Sequence, residues 1–554
     1  MNSLKPLTSF QKIFLFALSL GIVGFGQPAF SFTLSILSAL FGYGLIWRVL
    51  LNCSTGKERF CIGSLWFCLV QLIQLSWMIS HPYMYIYFVL IVFSLLMGLQ
   101  FGLLSYFIQT AQFKKIPGLF ALAGLWAILE WSRLFFLSGF SWNPAGLALS
   151  AELYSLQTAS LFGVFGMSFW VIAVNLFSLK AWIDNFKFSS LLIACSLAVF
   201  PYFYGYLHVN YHAKNFSSSS PFKALLVQTA FPIEESMGFK DHMTLAAYVI
   251  EEWKKILLIT KEHLKKPVDL VALPEFAVPF GTYTFIYPHS LVAASFKEHY
   301  GANSLKYLPP LTYPLAEKKG NLWMVNNAYW AQGIANNFNA ELIIGLEDAE
   351  DISPGILEFY SSAVHFSPNR LSPSECFISR YDKRVLVPMG EYIPFSFAKK
   401  LAESYGISGS FTAGKEAKIL GKKKPMGVSI CYEETFGDLM RENKVKGAEL
   451  LVNLTSDIWY PNSRLPRQHL DHSRLRSVEN GVPLLRACNT GITCGVDSLG
   501  RTVASLSEED EWKATSLFVK MPTYHFSTLY TYWGDRFIIA LSSILVLFFL
   551  RSRP

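Results

Sequence analysis

The chain is expected to fold as an integral membrane α-helical bundle of eight spans that carries one α/β domain outside the membrane. Three observations support that expectation. Of 554 residues, 52% are hydrophobic and only 16% charged, a balance typical of membrane proteins. The apolar residues are gathered into seven long runs before about residue 208, each near the ~20 residues that a spanning helix needs, and an eighth run at 537–550 closes the chain. Between the seventh and eighth runs, strand-like and helix-like stretches alternate, the pattern of a layered α/β domain.

The runs cover residues 10–26, 30–50, 61–80, 83–107, 116–137, 156–181, 188–207 and 537–550. The first is followed by Gln27-Pro28 and at once by a second apolar run, without a small-residue cleavage site. It is therefore read as a helix, not a signal peptide. Lys and Arg fall on alternate connections: Lys5 and Lys12, then Arg48, Lys57 and Arg59, then Lys114 and Lys115, then Lys180 and Lys187, and finally Arg551 and Arg553. The connections between them carry none. By the positive-inside rule both termini face the cytoplasm, and seven spans leave the polar segment outside it. The expected division is residues 1–208 as membrane domain, 209–531 as outer domain, and 532–554 as closing span and tail. The net charge of +8 is partly accounted for by these loop anchors. No basic helix, zinc-finger spacing or RNA-binding aromatic motif points to nucleic acid.

Within the fifth span, Glu130 and Arg133 can pair across one helix face; charges at that depth are either functional or packing devices. The loop Gly139-Phe-Ser-Trp142-Asn-Pro144 reads as an interfacial turn, with Trp142 a candidate substrate contact. The chain has eight cysteines but no C-x-x-C pair, which argues against a zinc or redox centre. A disulfide among Cys376, Cys488 and Cys494 is left open. His469 and His472 stand three apart on an expected helix without a third ligand nearby, so no metal is expected.

In the outer segment, buried strands are expected at 224–228, 268–275, 341–346, 377–383, 426–431 and 449–457, with helices at 244–263 and 466–480. The aromatic stretch 280–296 has no clean period and is expected to form an arm that reaches lipid. Four strands finish on chemically capable groups: Glu275, Lys383, Cys431 and Asp457. Carboxyl ends of strands in α/β sheets converge on a crevice, so a carboxylate, an ammonium and a thiol are expected to share one pocket. A base for the thiol and a cation beside its point of attack suit acyl transfer. Cys431 is also expected at a helix N-terminus that favours its thiolate.

Leu273-Pro-Glu275, Tyr381-Asp-Lys383-Arg384 with Val387-Pro-Met-Gly-Glu391-Tyr-Ile-Pro394, and Ile430-Cys431-Tyr-Glu433 resemble the Glu–Lys–Cys signature of the nitrilase superfamily. The whole chain further resembles the apolipoprotein N-acyltransferase family, through Glu130-Trp-Ser-Arg133, Gly139-Phe-Ser-Trp142, Asn453-Leu-Thr-Ser-Asp457-Ile-Trp459 and Arg486-Ala-Cys-Asn-Thr-Gly-Ile492. The resemblance implies a four-layer αββα nitrilase-like sandwich on the periplasmic side of a bacterial inner membrane. It implies that Cys431 takes an acyl chain from a phospholipid as a thioester. The acceptor would be the α-amine of an apolipoprotein's N-terminal diacylglyceryl-cysteine. Glu275 would be the general base, and Lys383 with the Tyr432 N–H would hold the oxyanion. Glu391 and Glu433 would be supporting carboxylates, and Phe239 and Trp459 further substrate contacts. No cofactor is implied, and a monomer is expected. The chain departs from the family pattern at Phe276, where Thr or Ser is usual, and at Thr455-Ser456, where Ser-Asn is. The alternative reading is a membrane-tethered amidase that hydrolyses a small amide.

Overall fold

The computed structural model describes residues 5–216, 220–233, 242–353, 356–369, 378–393 and 411–551. Phe239 and Cys376 lie outside the described residues. The chain separates into two compact units. One comprises Met1–Lys214, Tyr460–Gly481 and Ser527–Pro554, and the other Asn215–Trp459 and Val482–Phe526.

The first unit is helical. Five helices are long and apolar enough to cross a membrane: Phe32–Leu50, Tyr85–Phe107, Ile116–Phe135, Ala159–Ile183 and Phe188–Ala213. Helices Ser9–Gly24, Gly56–Gln74 and Arg536–Arg551 occupy the remaining apolar runs. The interior is aromatic. Phe101 stacks on Trp47 at 5.7 Å and on Phe67 at 4.9 Å, and Phe67 meets the edge of Trp126 at 5.3 Å. Glu130 Oε1 accepts the Trp126 indole N–H and the Ala145 amide, both at 2.8 Å, while Arg133 Nε donates to Gln100 at 2.7 Å. Both charges therefore fasten helix Ile116–Ser132 to its surroundings.

One member of this unit was expected in the outer domain. Helix Leu465–Asn480 is polar in sequence, yet nearly all its residues are buried. Its partners in the same unit explain this. Gln468 Nε2 donates to the Gln74 carbonyl (2.9 Å), the Arg464 guanidinium donates to the Ala29 carbonyl (2.8 Å), and Trp142 meets His472 edge-on at 5.2 Å. Gly163 interrupts helix Ala159–Ile183 with φ 64°, where a Cβ would collide with the Tyr530 ring. The break frees the Val164 amide, which donates to Glu479 Oε1 at 2.9 Å.

The second unit is built on strands β1 (Phe222–Gln228), β2 (Leu270–Ala272), β3 (Tyr287–Pro288), β4 (Ala316–Lys319), β5 (Leu322–Val325), β6 (Glu341–Ser353), β7 (Ile356–Phe366), β8 (Ile378–Asp382), β9 (Ile419–Leu420), β10 (Met426–Ile430), β11 (Leu450–Thr455), β12 (Leu484–Cys488), β13 (Cys494–Val496), β14 (Thr502–Ser505) and β15 (Thr515–Met521). One six-stranded sheet has the order β15-β1-β2-β6-β7-β8 and the other β14-β13-β12-β11-β10-β9. In each, three central strands run parallel: β1, β2 and β6 in the first, β10, β11 and β12 in the second. Those strands are buried on both faces, which is why they read as continuous apolar runs. Leu226, Ala272 and Ile343 of the first sheet share one core with Val428, Val452 and Leu485 of the second. Helices His242–Lys261, His289–Tyr300 and Asn327–Phe338 cover the other face of the first sheet, with Trp253 stacked on Trp330 at 5.4 Å. Helix Gly437–Val445 covers the second through Met440, against Leu451 and Leu484.

The expected lipid-reaching arm at 280–296 is corrected here. Tyr287, Val292 and Phe296 are core residues, and the Tyr287 hydroxyl donates to buried Asn327 at 2.8 Å. Apolar burial and that hydrogen bond hold the stretch inside the unit.

Candidate active site

Three strand ends carry the candidate groups: β2 is parallel to β6 in the first sheet, β8 is antiparallel to β7 in the same sheet, and β10 is parallel to β11 in the second. Beyond β2, the Leu273 amide continues the ladder to the Ile343 carbonyl (2.8 Å), and the Gly345 amide bonds the Pro274 carbonyl (3.0 Å). Gly345 is required by close approach: its Cβ would stand 2.5 Å from the Glu275 Cα. Glu275 is thereby delivered at the end of β2, and only 5% of its surface is exposed. Lys383 follows β8, held by its amide on the Ser361 carbonyl at 2.8 Å. Cys431 follows β10 at φ 51°, a left-handed conformation that few side chains adopt. A short 3₁₀ turn, Cys431–Thr435, begins there.

Lys383 Nζ lies 2.8 Å from Glu275 Oε1 and 2.5 Å from Glu391 Oε1. Glu391 is steadied through its other oxygen by the Val387 amide at 2.8 Å. Glu433 ties the two strand ends to each other. It accepts from the amides of Ile430 (2.8 Å) and Arg384 (2.6 Å) and from the Tyr381 hydroxyl (2.9 Å). One carboxylate thus fixes the turn of Cys431 to the strand of Lys383. Its neighbour Tyr432 is buried with its ring edge-on to Phe436 at 4.9 Å.

Electrostatics correct one expectation. Burial raises the Cys431 thiol, and the Glu275 charge raises it further, against the opposing Lys383 ammonium. The short turn contributes no long-helix dipole, so the resting group is a thiol, not a thiolate. The Glu275 carboxyl is likewise held above its ordinary value, first by burial and then by Glu391, while Lys383 opposes. Lys383 stays far above its ordinary value despite burial, because Glu275 and Glu391 flank it. At rest the thiol form of Cys431 is favoured beside the Glu275–Lys383 pair.

A group acting as base must be deprotonated, so activity should be lost as pH falls through the raised Glu275 value. Because the Glu391 charge raises that value, Glu391→Gln should move the acid limb of the pH–rate profile to lower pH. An unmoved limb, or one displaced upward, would contradict the coupling.

Beside the Cys431 turn, Asn453 Nδ2 donates to the Cys431 carbonyl (3.2 Å) and to Ser429 Oγ (3.1 Å). Buried Arg486 pairs with Glu434 and with Asp457 Oδ2, the latter at 3.2 Å. Asn489 accepts from Thr229 Oγ1 (2.6 Å) and the Phe231 amide (2.8 Å), binding the end of β1 to the loop after β12. Sequence reasoning missed Tyr381, Asn453 and Asn489 as supports of this site. Their signal was available only as polar residues at or just beyond buried strands. Trp459 is half-buried beyond β11. Trp142 belongs to the helical unit, packed on Trp77 at 5.4 Å. Cys488 and Cys494 are buried and are not bonded to each other, so the disulfide left open above does not join these two. His469 and His472 flank Trp142, and no group of potential metal ligands occurs among the described residues.

Comparison with known proteins matches residues 19–177 to the apolipoprotein N-acyltransferase N-terminal domain and residues 246–515 to the carbon–nitrogen hydrolase family. A Chlamydia caviae protein named apolipoprotein N-acyltransferase is 34% identical, covering 96% of both chains. One of the same name from Chlamydia muridarum is 33% identical, covering 98% of both. The solved structure of Saccharomyces cerevisiae Nit3, of the nitrilase superfamily, aligns at 17% identity with a TM-score of 0.35, covering 55% of this chain and 91% of that one. With its two-part match and full-length relatives, the chain belongs to the apolipoprotein N-acyltransferase family.

Proposed function

We propose that the chain is a membrane acyltransferase that moves an acyl chain from a phospholipid to the α-amine of a lipoprotein's diacylglyceryl-cysteine. The observation that carries this reading is the buried Glu275–Lys383 pair, whose charges act on the partly buried Cys431 thiol, in a chain whose relatives share the acyltransferase name over their whole length. Glu275 takes the thiol proton as Cys431 Sγ bonds to the ester carbonyl carbon. The tetrahedral intermediate expels the lysolipid oxygen, which receives that proton, and a thioester remains. A neutral amine then attacks the thioester; Glu275 accepts its proton and returns it to the departing sulfur. The Lys383 ammonium has three N–H donors. Two face Glu275 and Glu391, and the third meets the oxyanion together with the Tyr432 amide.

In this reading the eight apolar segments are the spans, the two-sheet unit is the four-layer αββα domain, and that domain works on the periplasmic face of an inner membrane. Both termini are then cytoplasmic, and the enzyme acts as a monomer. Trp142, Phe239 and Trp459 are its proposed substrate contacts. The amidase alternative is disfavoured by the full-length relatives.

The test is incubation of the purified protein with acyl-labelled phospholipid. A hydroxylamine-labile label on Cys431, discharged only when a diacylglyceryl lipopeptide amine is added, is the expected result. Rapid release of free fatty acid without the lipopeptide would overturn the reading.

A further inference from the structure

Thr455 ends β11, the strand parallel to β10. Ile430 registers with Leu454 as the last pair of the ladder, and Cys431 and Thr455 are the residues that follow them on the two strands. The Thr455 side chain is completely buried. Its hydroxyl has no nitrogen or oxygen hydrogen-bond partner among the described residues, and the polar group it lies against is the Cys431 thiol. A buried hydroxyl without a partner costs free energy, and such groups persist at functional sites. The Thr455 backbone is committed elsewhere: its carbonyl accepts the Asn489 amide at 2.9 Å. The side chain is thus held in place by a paired strand while its own hydrogen remains uncommitted.

Resting on the acyl-transfer reading, we infer that the Thr455 hydroxyl is a catalytic hydrogen-bond donor to the Cys431 sulfur, engaged only when that sulfur carries negative charge. In the resting thiol, sulfur is a weak acceptor, and the hydroxyl gains little there. As Glu275 removes the proton, charge grows on sulfur and the O–H···S contact becomes charge-assisted. The same charge returns when the amine-bound intermediate collapses: the carbon–sulfur bond breaks, the electron pair stays on sulfur, and Glu275 gives back the proton. Thr455 neither gains nor loses a proton in either half. It stabilises the sulfur anion at both moments, whereas Lys383 serves the oxygen. Burial raises the thiol in the resting protein, as does the Glu275 charge. That makes a donor aimed at sulfur useful: the site suppresses the thiolate at rest and supports it during reaction.

The test uses the full chain in detergent or nanodiscs and the isosteric pair Thr455→Val and Thr455→Ser. Alkylation of Cys431 by iodoacetamide is followed by mass spectrometry of its own peptide, because Cys61 and Cys195 are exposed and react as well. Thr455→Val should slow Cys431 alkylation at neutral pH about tenfold and move its pH midpoint up by about one unit. It should lower kcat by about tenfold or more with the KM for phospholipid unchanged. Thr455→Ser, which keeps the hydroxyl, should restore both. A valine variant with the wild-type alkylation profile would overturn the inference, as would a serine variant that behaves like valine. Alkylation needs no acyl donor. A shifted profile in a protein that never accepts acyl groups from phospholipid would therefore sink the acyl-transfer reading and leave the sulfur contact standing.

Discussion

Cys431→Ala is expected to abolish the labelled adduct and to lower acyl transfer by about 10⁵-fold or more, since the remaining groups have no nucleophile to assist. Phospholipid affinity should persist, because the variant removes only the sulfur from the triad. The backbone makes a second readout available. Cys431 sits at φ 51°, a strained conformation for any residue with a Cβ. Alanine keeps that strain and glycine releases it, so Cys431→Gly should be more stable than Cys431→Ala by about 1 kcal/mol. The rate is read by single-turnover lipid transfer and the stability by denaturation of the two variants side by side. A hydroxylamine-labile adduct that still forms in the alanine variant would remove Cys431 from the mechanism.

The second large effect is expected at Lys383. Its ammonium stands between Glu275 at 2.8 Å and Glu391 at 2.5 Å, with no surface exposed. Lys383→Met leaves the buried Glu275 carboxylate facing the partly buried Glu391 without the cation between them. Breaking a buried pair in this way costs about 3–5 kcal/mol, and the two groups should respond by sharing one proton. The acylation rate should fall by about 10³-fold, and the acid limb should move to higher pH, since the cation that opposed the rise of Glu275 is gone. This is the reverse of the shift expected for Glu391→Gln. A methionine variant that acylates within tenfold of the parent would show that the ammonium is not the oxyanion donor.

Much of the strand-built unit was legible because its central strands are buried on both faces. Leu270–Ala272, Met426–Ile430 and Leu450–Thr455 appear in the sequence as short apolar runs, and each is followed by a polar group that the topology carries to the same end of its sheet. The supports of the site were harder to read. Glu433 binds the amides of Ile430 and Arg384, a contact between residues on strands of different sheets that no local pattern encodes. The state of the thiol was misread because a strand followed by a polar stretch suggests a helix N-terminus. The chain instead makes a five-residue turn before helix Gly437–Val445 begins. Stretch 280–296 misled for a different reason: its aromatic residues carry no helical or strand period, and only the fold shows that Tyr287 and Phe296 are core.

Helix Leu465–Asn480 was recognised as helical but assigned to the wrong neighbours, since a run such as Gln468-His-Leu-Asp-His-Ser473 gives no sign of interior packing. Its true surroundings bear on how the protein is made. The helical unit is assembled from three separate stretches of chain, with the whole strand-built unit lying between them in sequence. The helices before residue 214 are therefore synthesised before the partners of Val164 and Gln74. A helix carrying buried Arg476 and Glu479 cannot partition into lipid by itself. It must dock into a receptacle that already exists. Helix Arg536–Arg551 arrives later still, laying Ser542 against Gly124. Assembly is thus ordered by topology: the helical unit is completed only after the strand-built unit has been synthesised.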